Sequence, residues 1–372
     1  MHDDSVYAQT EFRQWLTDGI PDRQTLAASL IGLPPDEREG WLADHPAALN
    51  YHTFEELLEE ASLQLDRDAI AAEALTAFIV AHVDRVTVPP DADIARLMLL
   101  ANAWRERGNA LHLVSDLPGM EAAYLRALEL ADSDPALAPE SAALRRGLAL
   151  VEFYRGNADQ AVAMIRAGLP LFRETGDLTN VLKSLYFEAY IEYGRVHDEI
   201  ARAIFIDILD VAEEHGDRVM QARAHLNLGH CNRRLRARRA AIDHFTASLP
   251  LLQECGMTGE IIRVEWGIAL LGAMDDPAAA LPVLDRFRDE FLATGRIGEA
   301  AWASLDTVTA LHDAGHEAEA RALAIELFGF FASHNMPREA MQALSEIRDA
   351  ALEERLTAEL LETLGKRVAD AF

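Results

Sequence analysis

Three cations recur at one interval. Lys183, Arg223 and Arg263 stand 40 residues apart. Three residues on, Tyr186, Leu226 and Trp266 repeat the interval, and four further on come Tyr190, His230 and Leu270. Steps of three and four bring residues to one face of a helix. Arg146 lies one interval before Tyr186. Arginine binds carboxylates through paired hydrogen bonds, and tyrosine and tryptophan supply apolar area with a polar tip. A face carrying both would suit an extended acidic segment or a terminal carboxylate. The plainer reading puts the aromatics in the core and pairs the cations with nearby acids such as Glu188, Glu192 or Glu265. A second feature is the run Arg233, Arg234, Arg236, Arg238 and Arg239, five arginines within seven residues. It reads as a second contact for an acidic partner, or for another copy of the chain. It reads equally as a solvated turn whose first two cations favour a helix C-terminus.

Catalytic signatures are absent. There is no GxxxxGK[ST], no strand-linked GxGxxG, no GxSxG and no HExxH. His316-Glu317 lacks a second histidine. His225, His230, Cys231, His244 and Cys255 crowd together, but His225 and His230 are five apart, about 140° around a helix, which is poor for joint ligation. No metal and no cofactor is expected. With 62 acidic residues, carboxylate pairs arise by chance and default to a solvated face.

The charge narrows the partners. The chain has 372 residues and a formal net charge of −28. Nucleic acids are bound by basic faces, so only a strongly segregated positive patch would serve here. Lys183 and Lys366 are the only lysines; every other cation apart from histidine is arginine. Half the residues are hydrophobic, enough for a large core, yet no long uncharged apolar run appears. Met1-His2-Asp3-Asp4 does not open like a secretory signal. Two cysteines, Cys231 and Cys255, make neither a disulfide scaffold nor a four-thiolate site. A soluble cytoplasmic protein is expected.

The interval of 40 belongs to the whole chain. Gly176, Gly216 and Gly256 are 40 apart, and Gly295 and Asn335 continue the series at 39 and 40. Each closes an apolar-periodic stretch, where a helix favours Gly or Asn just past its end. Leu169-Pro170 and Leu249-Pro250 lie two intervals apart. Each interval holds two apolar-periodic segments; Val219–Leu235 and Arg238–Glu254 are the pair in one of them. Strand signals are missing, and Ala, Leu, Glu and Arg favour helix. Asp276-Pro277 sets a capping residue before a proline at the first helical position.

Within this frame Leu228-Gly229, Ala241, Phe245, Ser248 and Leu249 follow the spacing of the tetratricopeptide repeat (TPR). Gly156, Ala161, Gly168 and Leu169 follow it too, as do Gly315, Ala320, Ala324 and Leu327, and Tyr124, Ala127 and Leu128. The small residues let two helices approach closely. Arg236 stands where the family usually has a glycine, and Ala201 and Phe205 read as displaced by a residue or two. The chain resembles the long, divergent TPR variety of bacterial regulatory proteins; HEAT-type repeats of similar length are the alternative.

The resemblance implies an all-α, right-handed solenoid of about seven helix pairs. Residues 51–88, 91–135, 136–176, 177–216, 217–256, 257–295 and 296–335 would be the repeats. Residues 336–372 would form a capping helix pair, Arg338–Glu354 and Leu356–Ala371, with a polar outer face. Residues 1–50, divided by Pro21, Pro34-Pro35 and Pro46 and anchored by Trp15, Leu16, Trp41 and Leu42, would be a helical cap or a docking segment. Val88-Pro89-Pro90-Asp91 would be a joint. In such a solenoid the first helix of each pair lines the concave side. The resemblance therefore implies a non-catalytic adaptor or regulatory module. It would hold a protein or peptide through Arg146, Lys183, Arg223 and Arg263 for acidic groups and Tyr186, Tyr190, His230 and Trp266 for side chains. Asn227 would hold ligand backbone. A structural scaffold that self-assembles without a groove ligand is the rival reading, and an enzyme with an unrecognised site a remote one.

Overall fold

The computed structural model describes residues 20–88, 92–333, 336 and 338–369. They form eighteen α-helices and, among the described residues, no strand. The anchors Trp15 and Leu16, most of the joint at 88–91, Asn335 and the last residues of the capping pair lie outside the described residues. The chain divides into two compact units, Met1–His112 with Asp116–Gly147, and Leu113–Ser115 with Leu148–Phe372.

The first unit holds α1 (Ile20–Gly32), α2 (Pro35–Asp44), α3 (Tyr51–Arg67), α4 (Ala69–His82), α5 (Asp93–Leu113), α6 (Leu117–Ala131) and the start of α7 (Ala138–Tyr154). Its core gathers Leu30, Leu42, Phe54, Leu57, Ile79 and Leu99, with Trp41 packed against it.

The second unit is a run of antiparallel hairpins: α8 (Ala158–Glu174), α9 (Leu178–Gly194), α10 (Asp198–His215), α11 (Arg218–Arg234), α12 (Arg238–Cys255), α13 (Thr258–Ala273), α14 (Pro277–Ala293), α15 (Ile297–Asp313), α16 (Glu317–Phe331), α17 (Arg338–Leu352) and α18 (Ala358–Ala369). The pair expected at 219–235 and 238–254 appears within a residue of those bounds as α11 and α12.

Two kinds of turn set the period. Between hairpins, Gly176, Gly216, Gly256 and Gly295 adopt positive φ (68°, 70°, 68° and 77°). The next residue then bonds back to the closing turn of the helix, as Asp217 N–H does to Ala212 O at 2.9 Å. Asp177 and Asp217, which follow two of these glycines, cap the next helix by accepting from Asn180 N–H and Met220 N–H. Asp276 caps α14 in the same way, with Pro277 in its first turn. Inside the hairpins the left-handed position is taken by Gly156, Val196, Arg236 and Gly315. Arg236 at φ 59° thus makes the turn that a glycine would make.

Packing explains the small residues. Ala241 and Phe245 are fully buried, and Ala201 and Phe205, 40 residues earlier, are buried in the same way. The displacement expected for Ala201 and Phe205 does not exist: they sit in register. Ser248 is buried and donates from Oγ to Ala222 O at 2.8 Å, tying α12 to α11. Besides their hairpin partners, α9 packs on α11, α11 on α13 and α13 on α15. The first helices of successive hairpins therefore form a shared layer, and this layer carries the periodic cations and aromatics.

Candidate functional site

The N-terminal halves of α11, α13 and α15 carry a ladder of alternating charge. Arg223 Nε lies 3.7 Å from Glu260 Oε1, and Arg263 Nη1 donates to Glu260 Oε2 at 3.0 Å. Arg263 Nε stands 4.0 Å from Glu299 Oε1, and Arg296 Nη1 donates to Glu299 Oε2 at 3.0 Å. Burial pushes the Glu260 carboxyl up, but Arg263, Arg223 and Arg296 together outweigh it and hold it below the usual carboxylate range. Three arginines on two glutamates leave the ladder one positive charge in a strongly acidic chain. The acids that meet these cations are Glu260 and Glu299. Glu188 instead takes Arg166, Glu192 takes Arg195 and His197, and Glu265 is exposed. Lys183 is exposed on α9.

Next to the ladder lie the tyrosines. Tyr186 is half-buried, with its ring edge-on to Phe205 at 5.8 Å. Asn227 is buried; its side-chain amide donates to Arg223 O at 2.8 Å and reaches the Tyr186 hydroxyl at 3.4 Å. The Tyr190 hydroxyl is 3.3 Å from that of Tyr154, and burial pushes its pKa up. The field of Arg263 reaches both Tyr186 and Tyr190. Arg223, Arg263, Tyr186, Tyr190 and Asn227 thus share one polar, partly exposed face.

His230 and Trp266 lie deeper. Each is 2% exposed. The His230 ring packs against Phe245, Trp266 and Trp302 at centroid distances of 5.0, 5.5 and 6.4 Å. Burial first, then the fields of Arg233, Arg263 and Arg234, push His230 well below the ordinary imidazole range. Leu226 and Leu270, which share their repeat positions, are fully buried. Arg146 belongs to the first unit, where it is buried beside Tyr124. There the Tyr124 hydroxyl donates to Asn109 Oδ1, Asn109 donates to Glu106, and Arg105 bridges Glu106 and Glu140.

The arginine run stitches the second unit together. Arg233 is buried and bonds Asp306 at 2.5 Å. Arg234 lies over the Tyr193 ring, donates to Tyr193 O and pairs with Asp198 at 3.1 Å. Arg236 stands 3.6 Å from Asp313, and Arg238 pairs with Asp275 at 2.6 Å. Arg233 and Arg234, in the last turn of α11, are internal ties, whereas Arg236, Arg238 and Arg239 are exposed at the turn. Among the described residues no three of His, Cys, Asp and Glu converge as metal ligands would. No described helix is long and apolar enough to cross a membrane.

The residues that sequence reasoning missed are Glu260, Glu299, Trp302 and Asp306. A signal existed: Glu260 and Glu299 are 39 apart, and Trp302 stands 39 after Arg263.

No protein-family model and no curated protein matches the chain. Solved structures resemble it, two of them as follows. One is a Rap protein complexed with Competence and Sporulation Factor: 14% identity, covering 83% of this chain and 99% of that one, TM-score 0.50. The other is the Rap conjugation gene regulator of plasmid pLS20 in complex with the Phr* peptide: 8% identity, 88% of this chain and 78% of that one, TM-score 0.52. At these identities the likeness is one of fold: like the hairpins above, it is an all-α fold of helical repeats.

Proposed function

We propose that this chain is a non-catalytic, peptide-binding regulatory module of the long-repeat TPR kind found in bacterial regulators. It holds an acidic segment, or a chain's terminal carboxylate, on the layer formed by α9, α11, α13 and α15. The observation that carries this reading is the Arg223–Glu260–Arg263–Glu299–Arg296 ladder beside Tyr186, Tyr190 and Asn227. Both structural neighbours are themselves peptide or factor complexes. Lys183 and Arg223 meet the ligand's carboxylates, Asn227 and the tyrosine hydroxyls its peptide groups. His230 and Trp266 act from beneath by shaping the floor, and Arg146 serves the corresponding position of the first unit. Arg236, Arg238 and Arg239 offer a secondary contact for an acidic partner. Residues 51–335 form the solenoid, 336–372 its cap, and 1–50 a helical cap or docking segment.

The test is fluorescence anisotropy of the full chain against a library of short acidic peptides with free C-terminal carboxylates. Arg223, a third exposed, is reversed by Arg223→Glu. Loss of one charge-assisted contact weakens binding about tenfold or more. Unchanged affinity with helicity intact overturns the assignment of this face.

A further inference from the structure

Most ion pairs between hairpins of the second unit join neighbours, 36 to 38 residues apart. Two skip a hairpin: Arg233–Asp306 and Arg236–Asp313, separated by 73 and 77 residues. The His230–Trp302 ring contact also skips one. Arg233–Asp306 and His230–Trp302 join α11 to α15, Arg236–Asp313 joins the turn after α11 to the end of α15, and Trp266 of α13 packs under both rings, 5.5 Å from His230 and 5.3 Å from Trp302. The inner layer is therefore curled so far here that α11 and α15 clasp over α13.

The clasp is incompletely bonded. Arg233 is 6% exposed and its Nε has no hydrogen-bond partner. One turn earlier, Nδ1 and Nε2 of His230 are both buried without a partner. A guanidinium offers five donors in a fork that fits both oxygens of a carboxylate. Asp306 takes one at hydrogen-bond distance, from Nη2. Buried donors left unpaired are costly, and such a set in a folded protein calls for an explanation. The neighbouring cations are Arg234 and Arg263; the neighbouring acids are Asp198, already paired with Arg234, and Asp306.

Resting on the peptide-binding reading above, we propose that Arg233 is a carboxylate-binding position occupied by the chain's own Asp306. An acidic ligand group enters by exchange with Asp306, engages the fork more fully, and releases α15 from α11. The ligand class is an acidic side chain or a terminal carboxylate next to an apolar residue that covers Trp266 and Trp302. Ligand binding is thereby linked to the curvature of the inner layer.

The experiment uses the full chain and a hexapeptide library in two forms: with acidic residues and free carboxylates, and with Asn, Gln and C-terminal amides in their place. Asp306→Asn removes the competing charge and keeps an oxygen facing Arg233. It is expected to tighten binding of the acidic form roughly tenfold, the factor by which a closed clasp dilutes the competent state, and to leave the neutral form unchanged. Spin labels at Ile242→Cys and Glu317→Cys, in a Cys231→Ala, Cys255→Ser background, are expected to move apart when the acidic form binds the protein that keeps Asp306. Acidic peptides that bind both proteins equally, or bind Asp306→Asn more weakly, overturn the exchange alone. So does binding that leaves the label distance unchanged, which also decides the matter should Asp306→Asn fail to fold. If neither form binds any variant, the peptide-binding reading fails and the exchange falls with it.

Discussion

The ring of Phe245 occupies the space that a side chain at Gly229 would need. A Cβ built on Gly229 would lie 2.4 Å from the ring, and one on Gly267 would lie 2.5 Å from it. One aromatic from α12 is thus wedged between two first helices, and both must be bare at that point. Gly229→Ala gains helix propensity worth about 1 kcal/mol, but forces a fully buried ring to shift, which costs about 1–3 kcal/mol. The net expectation is a lower melting temperature, and Gly229→Val is expected to be worse. Thermal unfolding followed by circular dichroism reads both. A neutral or stabilising Gly229→Ala would mean that Phe245 is not the wedge.

Val196 makes the opposite case. It sits at φ 63° in the turn of the α9–α10 hairpin, where Gly156 and Gly315 serve other hairpins. A left-handed backbone costs a residue with a Cβ roughly 1–2 kcal/mol, and a β-branched residue is the least suited. The residue is 47% exposed, so little burial is lost on removing its side chain. Val196→Gly is expected to stabilise by about 1 kcal/mol after the extra chain entropy of glycine. Arg236→Gly relieves the same strain but cuts the tie to Asp313, so its gain is expected to be smaller.

These two positions mark what a sequence conveys about such a fold. The period, the paired helices, the glycine closures and the Leu-Gly/Phe complementarity are local rules repeated many times, and they could be read directly. The ladder was half legible: the cations stood out against the charge of the chain, whereas Glu260 and Glu299 were lost among 62 acids although they share the period. The burial of Trp266 was legible as the plainer of two readings, whereas the burial of His230 and the bond from Arg233 to Asp306 were not legible. They depend on curvature, a small rotation at each hairpin that accumulates over two of them, and no single repeat encodes the sum.

Glu260 is the keystone of the ladder, since it faces both Arg223 and Arg263. Its folded-state pKa is depressed, so its contribution is fully present above the ordinary carboxylate range near pH 4.3. That contribution is lost as pH falls through the lower folded value. Glu260→Gln removes the buried charge and leaves the half-buried Arg263 with Glu299 alone, and breaking a largely buried pair from one side costs up to about 3 kcal/mol. Urea unfolding at pH 7 is expected to show that loss. The difference between mutant and wild type is expected to shrink below about pH 4, where wild type also loses the charge. A mutant as stable as wild type at pH 7 would reduce the ladder to a bystander.

The last prediction concerns an acid sensitivity that begins nearer neutrality. His225 on α11 and His244 on α12 face each other with Nδ1 atoms 3.0 Å apart, so one ring donates the proton that the other accepts. Burial, and then His244, pull His225 down to about 4; burial also lowers His244, against the pull of Asp243. A histidine whose folded pKa lies below its unfolded value of about 6.5 stabilises fully above that value. The unfolded chain takes up protons first as pH falls, so stability declines from about pH 6.5 toward pH 4. The α11–α12 hairpin is therefore expected to lose melting temperature between pH 7 and pH 5, before Glu260 titrates. His225→Gln keeps a hydrogen-bonding group opposite His244 and removes the share of that slope that His225 carries, leaving the shares of His244 and of the buried His230. Imidazole resonances give the second readout: the His225 ring is expected to titrate near pH 4 and His244 below pH 6.5. Two rings titrating at the ordinary value, with an unchanged slope in His225→Gln, would show that the pair does not couple proton uptake to unfolding.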